Sequence, residues 1–261
     1  MPLAAVNGQD IYFEDTGGDL PPIILGHGFL MDHEMFAPQV AALRDIARVI
    51  TWDERGFGQT RYDGKPFSYW DSASDCLGLL DHLGIDRAVV GGMSQGGFLA
   101  LRAALTAPER VRALVLLDTE AGVPSPETMA AEQGMVDFWL AVGPVDDLAN
   151  PVAALIIDDP VENPKWIAKW QATDKGAIAE PANCLHGRDD ITGRLGEITC
   201  PALVVHGTED TSIEMSKAEE LAAGLPGSGD VVRVPGSHAA SLTHPDAVNA
   251  AIISFLSDLP T

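Results

Sequence analysis

Gly92-Met93-Ser94-Gln95-Gly96 sets a serine between two glycines, after an apolar run at 88–91 and before a helical pattern at 95–107. A strand followed at once by a helix is the context of a nucleophile elbow, a sharp turn that lifts a serine hydroxyl into a site. Side chains two positions either side of Ser94 would collide with such a turn, and glycine stands at both. The helix N-terminus behind Ser94 adds partial positive charge where an oxyanion would develop.

A serine hydroxyl needs a base to take its proton. Of the seven histidines, only His238, in Pro235-Gly236-Ser237-His238, follows a late strand and comes after an acid candidate. A carboxylate must fix its tautomer and stabilise the imidazolium. Asp210 follows the strand at 202–206 and completes the order Ser, Asp, His. Glu209 would point elsewhere, and Glu120, after the strand at 111–117, is the competitor. The oxyanion donors would be the N–H of Gln95 and the N–H of Phe29, in the loop Gly26-His27-Gly28-Phe29, where Gly28 permits close backbone approach.

These residues need elements to hold them. Short strands are predicted at 10–15, 23–25, 48–52, 88–91, 111–117, 202–206 and 231–234. Helices are predicted at 70–83, 95–107, 215–225 and 246–259. On the helix at 70–83, Ala73, Cys76, Leu77, Leu80 and Leu83 form the apolar face. The alternation implies an α/β fold, a mostly parallel sheet with helices on both faces. Residues 122–190 break the rhythm with short helical patterns, and Pro126, Pro151, Pro164 and Pro181 suit first helical turns. They read as an insertion after the sixth strand. Such an insertion can roof a pocket, because open α/β sheets bind ligands beyond the carboxyl ends of their strands.

The chain has 261 residues and a formal charge of −22. That charge repels phosphate backbones and anionic lipid, so neither nucleic acid nor membrane is an expected partner. Cys76, Cys184 and Cys200 are odd in number and scattered, which suits reduced thiols and a cytoplasmic protein. No signal peptide is legible, and no run reaches the roughly 18 apolar residues of a membrane-spanning helix. A homo-oligomer stays open.

Together with Asp53-Glu54-Arg55-Gly56-Phe57-Gly58 and His206-Gly207-Thr208-Glu209-Asp210, these motifs resemble the α/β-hydrolase superfamily over nearly the whole chain. Within it the chain resembles the small bacterial esterase, enol-lactonase and cofactor-free haloperoxidase-like group. The resemblance implies an eight-stranded sheet, a core of residues 1–121 and 191–261, and a helical cap of residues 122–190. It implies the triad Ser94, Asp210 and His238, with no metal or organic cofactor. The 53–58 segment is usually a structural turn in this family, so Asp53 takes no catalytic role. Serine at the elbow argues against dehalogenases and epoxide hydrolases, which use aspartate there. Met93 stands where relatives often carry histidine or asparagine.

Substrate-contacting candidates are Gly28, Leu30 and Met31 beside the oxyanion loop, with Met93, and Phe138, Trp139 and Trp166 in the cap. Trp166 and Trp170 share a helix face, which packs the cap or lines the pocket. No arginine sits in the loop or elbow to clamp a carboxylate, and Arg188-Asp189-Asp190 reads as structural. The expected substrate is therefore a neutral, fairly hydrophobic small-molecule ester or lactone. A carbon–carbon bond hydrolase or perhydrolase on the same triad is the alternative, or a ligand receptor with this fold.

Overall fold

The computed structural model describes residues 3–260. Asn7 and Gly8 both adopt positive φ, 49° and 81°, the conformation a two-residue hairpin needs to match strand twist. Through it β1 (Leu3–Val6) pairs antiparallel with β2 (Gln9–Asp15). The alternation at 10–15 predicts only β2, since β1 is too short to show a period.

From there strands and helices alternate: β3 (Pro22–Gly26), α1 (Ala37–Leu43), β4 (Arg48–Trp52), α2 (Tyr69–His82), β5 (Ala88–Met93), α3 (Gln95–Thr106) and β6 (Val111–Leu117). Four helices follow, α4 (Pro126–Val142), α5 (Asp146–Ile156), α6 (Glu162–Ala172) and α7 (Ala179–His186). The alternation then resumes with β7 (Ala202–Gly207), α8 (Met215–Gly224), β8 (Val232–Val234), α9 (Ala240–Thr243) and α10 (Pro245–Asp258). The eight strands form one sheet in the order β1-β2-β4-β3-β5-β6-β7-β8. β2 runs antiparallel to both neighbours, and every other pair is parallel.

Side chains alternate across a strand, so the sheet feeds two apolar layers. Ile24, Ile50, Val90, Leu114 and Val204 pack with Leu79 and Leu80 of α2, Leu99 of α3 and Leu221 of α8. Ile23, Leu25, Val49, Val89, Val115 and Val205 pack with Leu43 of α1 and Val248 and Ile252 of α10. Each such side chain contributes about 1.5–3 kcal/mol by burial. On α2 the buried row is Tyr69, Ser72, Ala73, Asp75, Cys76, Leu79 and Leu80, whereas Leu77 and Leu83 only border the core. The inward stripe is thus rotated slightly from the one the leucines suggest.

α4 to α7 leave the sheet after β6. Their buried residues Trp139, Val152, Trp166 and Trp170 extend the second apolar layer. Ser125 caps α4 by accepting the N–H of Thr128, with Pro126 at the first position. Pro164 and Pro181 also sit in first turns, but Pro151 lies inside α5. Proline there removes one helical hydrogen bond, and the Asn150 amide, 2.8 Å from the Asp146 carbonyl, ties down the turn before it.

Candidate active site

Ser94 joins β5 to α3 with φ 52° and ψ −114°, a conformation L-residues hold only where packing enforces it. Its N–H donates to the Leu117 carbonyl at 2.9 Å, and Thr119 Oγ1 donates to its carbonyl at 2.7 Å. The flanking glycines are required by β3: a side chain on Gly92 or Gly96 would run into the Gly26 carbonyl.

His238 and Ser94 line one cavity. His238 Nδ1 lies 2.8 Å from Asp210 Oδ2, so Nδ1 carries the proton and Nε2 keeps its lone pair. The other Asp210 oxygen accepts the N–H groups of Ser212, 2.8 Å, and Ile213, 3.0 Å. Burial would raise the Asp210 pKa. The His238 imidazole and these donors outweigh it, and the carboxyl lies below its ordinary value.

A second pair stands behind Asp210. His206 Nε2 donates to the Ile213 carbonyl at 2.8 Å and is 3.4 Å from Asp210 Oδ2. Asp118, buried with φ 46°, accepts the Gly207 N–H at 2.7 Å. Burial and the Asp210 charge hold the Asp118 pKa well above the usual carboxylate range, opposite in direction to the shift at Asp210. Glu120 is elsewhere engaged: it forms a buried ion pair with Arg188 at 2.8 Å. Glu209 is exposed.

The loop after β3 is pinned from three sides. His27 donates Nδ1–H to the Gly28 carbonyl at 2.8 Å and accepts the Glu54 N–H on Nε2 at 3.0 Å. Burial lowers its pKa, so the ring stays neutral. Trp170 Nε1 donates to the Leu30 carbonyl at 2.6 Å, and Lys169 pairs with Asp32 at 2.6 Å and Glu34 at 2.8 Å. Among the described residues neither the Phe29 N–H nor the Gln95 N–H is taken by a protein acceptor. Gln95 is the first residue of α3, whose leading N–H groups have no partner within the helix.

The Ser94 cavity measures about 320 Å³. Phe29, Leu30, Met93, Phe98, Met135, Trp139, Val152, Leu155 and Ile178 supply its apolar wall. Several of the substrate-contacting candidates lie off this cavity. Phe138 is 47% exposed, because it lies on the solvent side of α4. Trp166 and Met31 are buried but face a separate groove of about 960 Å³ between α6 and the 56–64 segment. Gly28 does not line the Ser94 cavity; its missing side chain makes room for the Met93 sulfur. The groove is larger but does not reach Ser94; Leu30, Trp139 and Ile178 wall both. Arg188, read as structural, does line the Ser94 cavity, with Glu120, Glu132 and His186. Glu132, His186 and Arg188 are isolated charges in a helical insertion and carry no sequence signal for facing inward; Glu120 has one only as a strand-end carboxylate.

Asp53 belongs to the turn. It accepts the His33 N–H, 2.8 Å, His33 Nδ1–H, 2.7 Å, and the Gln59 N–H, 2.7 Å. Among the described residues, Asp32, His33 and Asp53 form one of two groups with ligand-type atoms within 4.8 Å of one another; Asp118, His206 and Asp210 form the other. In both, Asp53 and Asp210 already spend their lone pairs on N–H donors, which a cation would displace.

A doubly wound sheet with a serine elbow and a histidine–aspartate pair at its strand ends defines a class. The model of the alpha/beta hydrolase fold family matches residues 21–245, and the chain belongs to that family. An esterase from Thermogutta terrifontis superposes with a TM-score of 0.89 at 30% identity, over 100% of this chain and 98% of that one. The enol-lactonase from Burkholderia xenovorans gives 0.89 at 29%, over 98% and 100%. A protein of Azorhizobium caulinodans named as a carbamate hydrolase is 27% identical over 99% of both chains. The chain is thus a hydrolase similar to the small bacterial esterases. Among the described residues no helix is long and apolar enough to cross a membrane.

Proposed function

We propose that the protein hydrolyses a carboxylic ester or lactone through an acyl-enzyme on Ser94. The observation that carries this is one cavity holding both Ser94, on a strained elbow, and His238, whose Nδ1–H is held by Asp210. Ser94 Oγ attacks the carbonyl carbon as His238 Nε2 takes its proton. The oxyanion sits on the N–H groups of Phe29 and Gln95, each worth about 3–4 kcal/mol in the transition state. Asp210 keeps the ring in the productive tautomer and stabilises its cation. His238 then protonates the leaving alcohol. It next deprotonates a water, which attacks the acyl carbon and frees the acid and Ser94.

The apolar wall favours a hydrocarbon chain on the acyl or alcohol side over a carbamate, which is too small and polar to cover it. The test is a panel of p-nitrophenyl esters, acetate to octanoate, with several lactones, on wild type and Ser94→Ala. Turnover by wild type that vanishes in Ser94→Ala is expected. Undiminished turnover in the variant, or none from folded wild type, overturns the reading.

A further inference from the structure

The turn that carries the Phe29 N–H holds a residue ill suited to it. Met31 N–H donates to the Gly28 carbonyl at 3.0 Å and closes a four-residue turn over Gly28-Phe29-Leu30-Met31. Leu30, third in that turn, has φ 64°, the sign a type II turn takes there, where glycine or asparagine is usual. A leucine in this conformation is strained by its own Cβ, so something outside the turn must hold it.

The peptide bonds of the described residues are trans, so the Phe29 N–H points opposite to the Gly28 carbonyl. Two donors fix that carbonyl, Met31 N–H and, at 2.8 Å, His27 Nδ1–H. The turn thereby sets the direction of the Phe29 N–H, and Phe29 lines the Ser94 cavity.

The outside hold comes from α6. Trp170 Nε1–H donates to the Leu30 carbonyl at 2.6 Å, and its side chain is buried. Lys169, one residue before it, ties down the chain just past the turn through Asp32, 2.6 Å, and Glu34, 2.8 Å. Trp170 lines the outer groove and not the Ser94 cavity, so its influence on a molecule bound beside Ser94 passes through the turn.

We propose that Trp170 is a positioning residue. It holds Leu30 in the left-handed conformation and so aims the Phe29 N–H at the oxyanion, which couples α6 to the oxyanion hole. This rests on the reading of Phe29 as an oxyanion donor, and a ligand that forms an oxyanion without being hydrolysed tests it. Trifluoromethyl hexyl ketone is such a ligand. Ser94 Oγ bonds to its carbonyl carbon, the π pair moves onto the oxygen, and His238 Nε2 takes the serine proton. Methyl hexyl ketone fills the same space without stable addition. Both affinities are measured by titration calorimetry, and kcat and KM are measured on p-nitrophenyl esters.

Trp170→Phe keeps an aromatic ring and removes the donor. It is expected to weaken the trifluoromethyl ketone by about 10- to 100-fold and leave the methyl ketone unchanged. Ester kcat should fall by the same factor at constant KM. In a Leu30→Gly background the same substitution should cost much less, because glycine holds positive φ unaided. Equal weakening of both ketones, an unchanged trifluoromethyl ketone affinity, or the same loss in both backgrounds overturns the proposal. Should Trp170→Phe fail to fold, 3-benzothienylalanine at position 170 keeps both rings and lacks only the N–H. Ester turnover that ignores Trp170 leaves the hydrolase reading standing and removes this one; Trp170-dependent capture of the trifluoromethyl ketone without ester turnover does the reverse.

Discussion

His238 Nδ1 and Asp210 Oδ2, on the loops after β8 and β7, meet at 2.8 Å although 28 residues separate them in the chain. Asp210→Asn should keep the shape but permit the wrong imidazole tautomer. Its kcat is expected to fall by about 10³–10⁴, measured on whichever ester wild type cleaves best.

Glu120→Gln should behave oppositely. It leaves Arg188 buried without its carboxylate, which costs about 3–5 kcal/mol, and urea denaturation should show that loss. Turnover per folded molecule should stay near wild type. A loss of kcat matching that of Asp210→Asn would instead make Glu120 the triad acid.

Glu54 lies buried beneath the elbow, and burial pushes its pKa from 4.5 to about 8. The folded chain therefore binds this proton more tightly than the unfolded chain. Between those two values the native state holds more protons, so stability from this group falls as pH rises, by up to about 1.4 kcal/mol per unit. Glu54→Gln should flatten that slope in melting temperatures taken across the range, and should be the more stable protein at its alkaline end.

Gly96→Ala should be among the most damaging single changes. The added methyl would meet the Gly26 carbonyl, and backbone on both sides leaves nothing to yield. Loss of soluble protein, or a destabilisation above about 4 kcal/mol, is expected by thermal melting; an unchanged melting temperature would refute the packing at the β3–α3 contact.

Trp139 stands between the Ser94 cavity and the outer groove and is only 4% exposed. Trp139→Ala should join the two spaces. The ester chain-length optimum should move to longer acyl groups, while stability falls by about 3–5 kcal/mol.

Much of this molecule could be read from residue order. Glycine spacing around Ser94, apolar strands and the sequence Ser, Asp, His are local features, because an elbow's crowding and a strand's period act over a few neighbours. Helix ends and strands β4 and β6 follow from the same short-range rules. The internal position of Pro151 and the hairpin strand β1 escaped them, one because tertiary packing tolerated a missing hydrogen bond, the other for want of length. The direction in which side chains face across the helical insertion was decided only by the fold. Phe138 and Trp139 are adjacent, yet one meets solvent and the other closes the cavity. Arg188, Glu132 and His186 reach the same wall from different elements, and Asp118 and Asp210 become neighbours across β6 and β7. Such convergences depend on how separate layers dock, and a period along one chain segment carries no information about what docks against it.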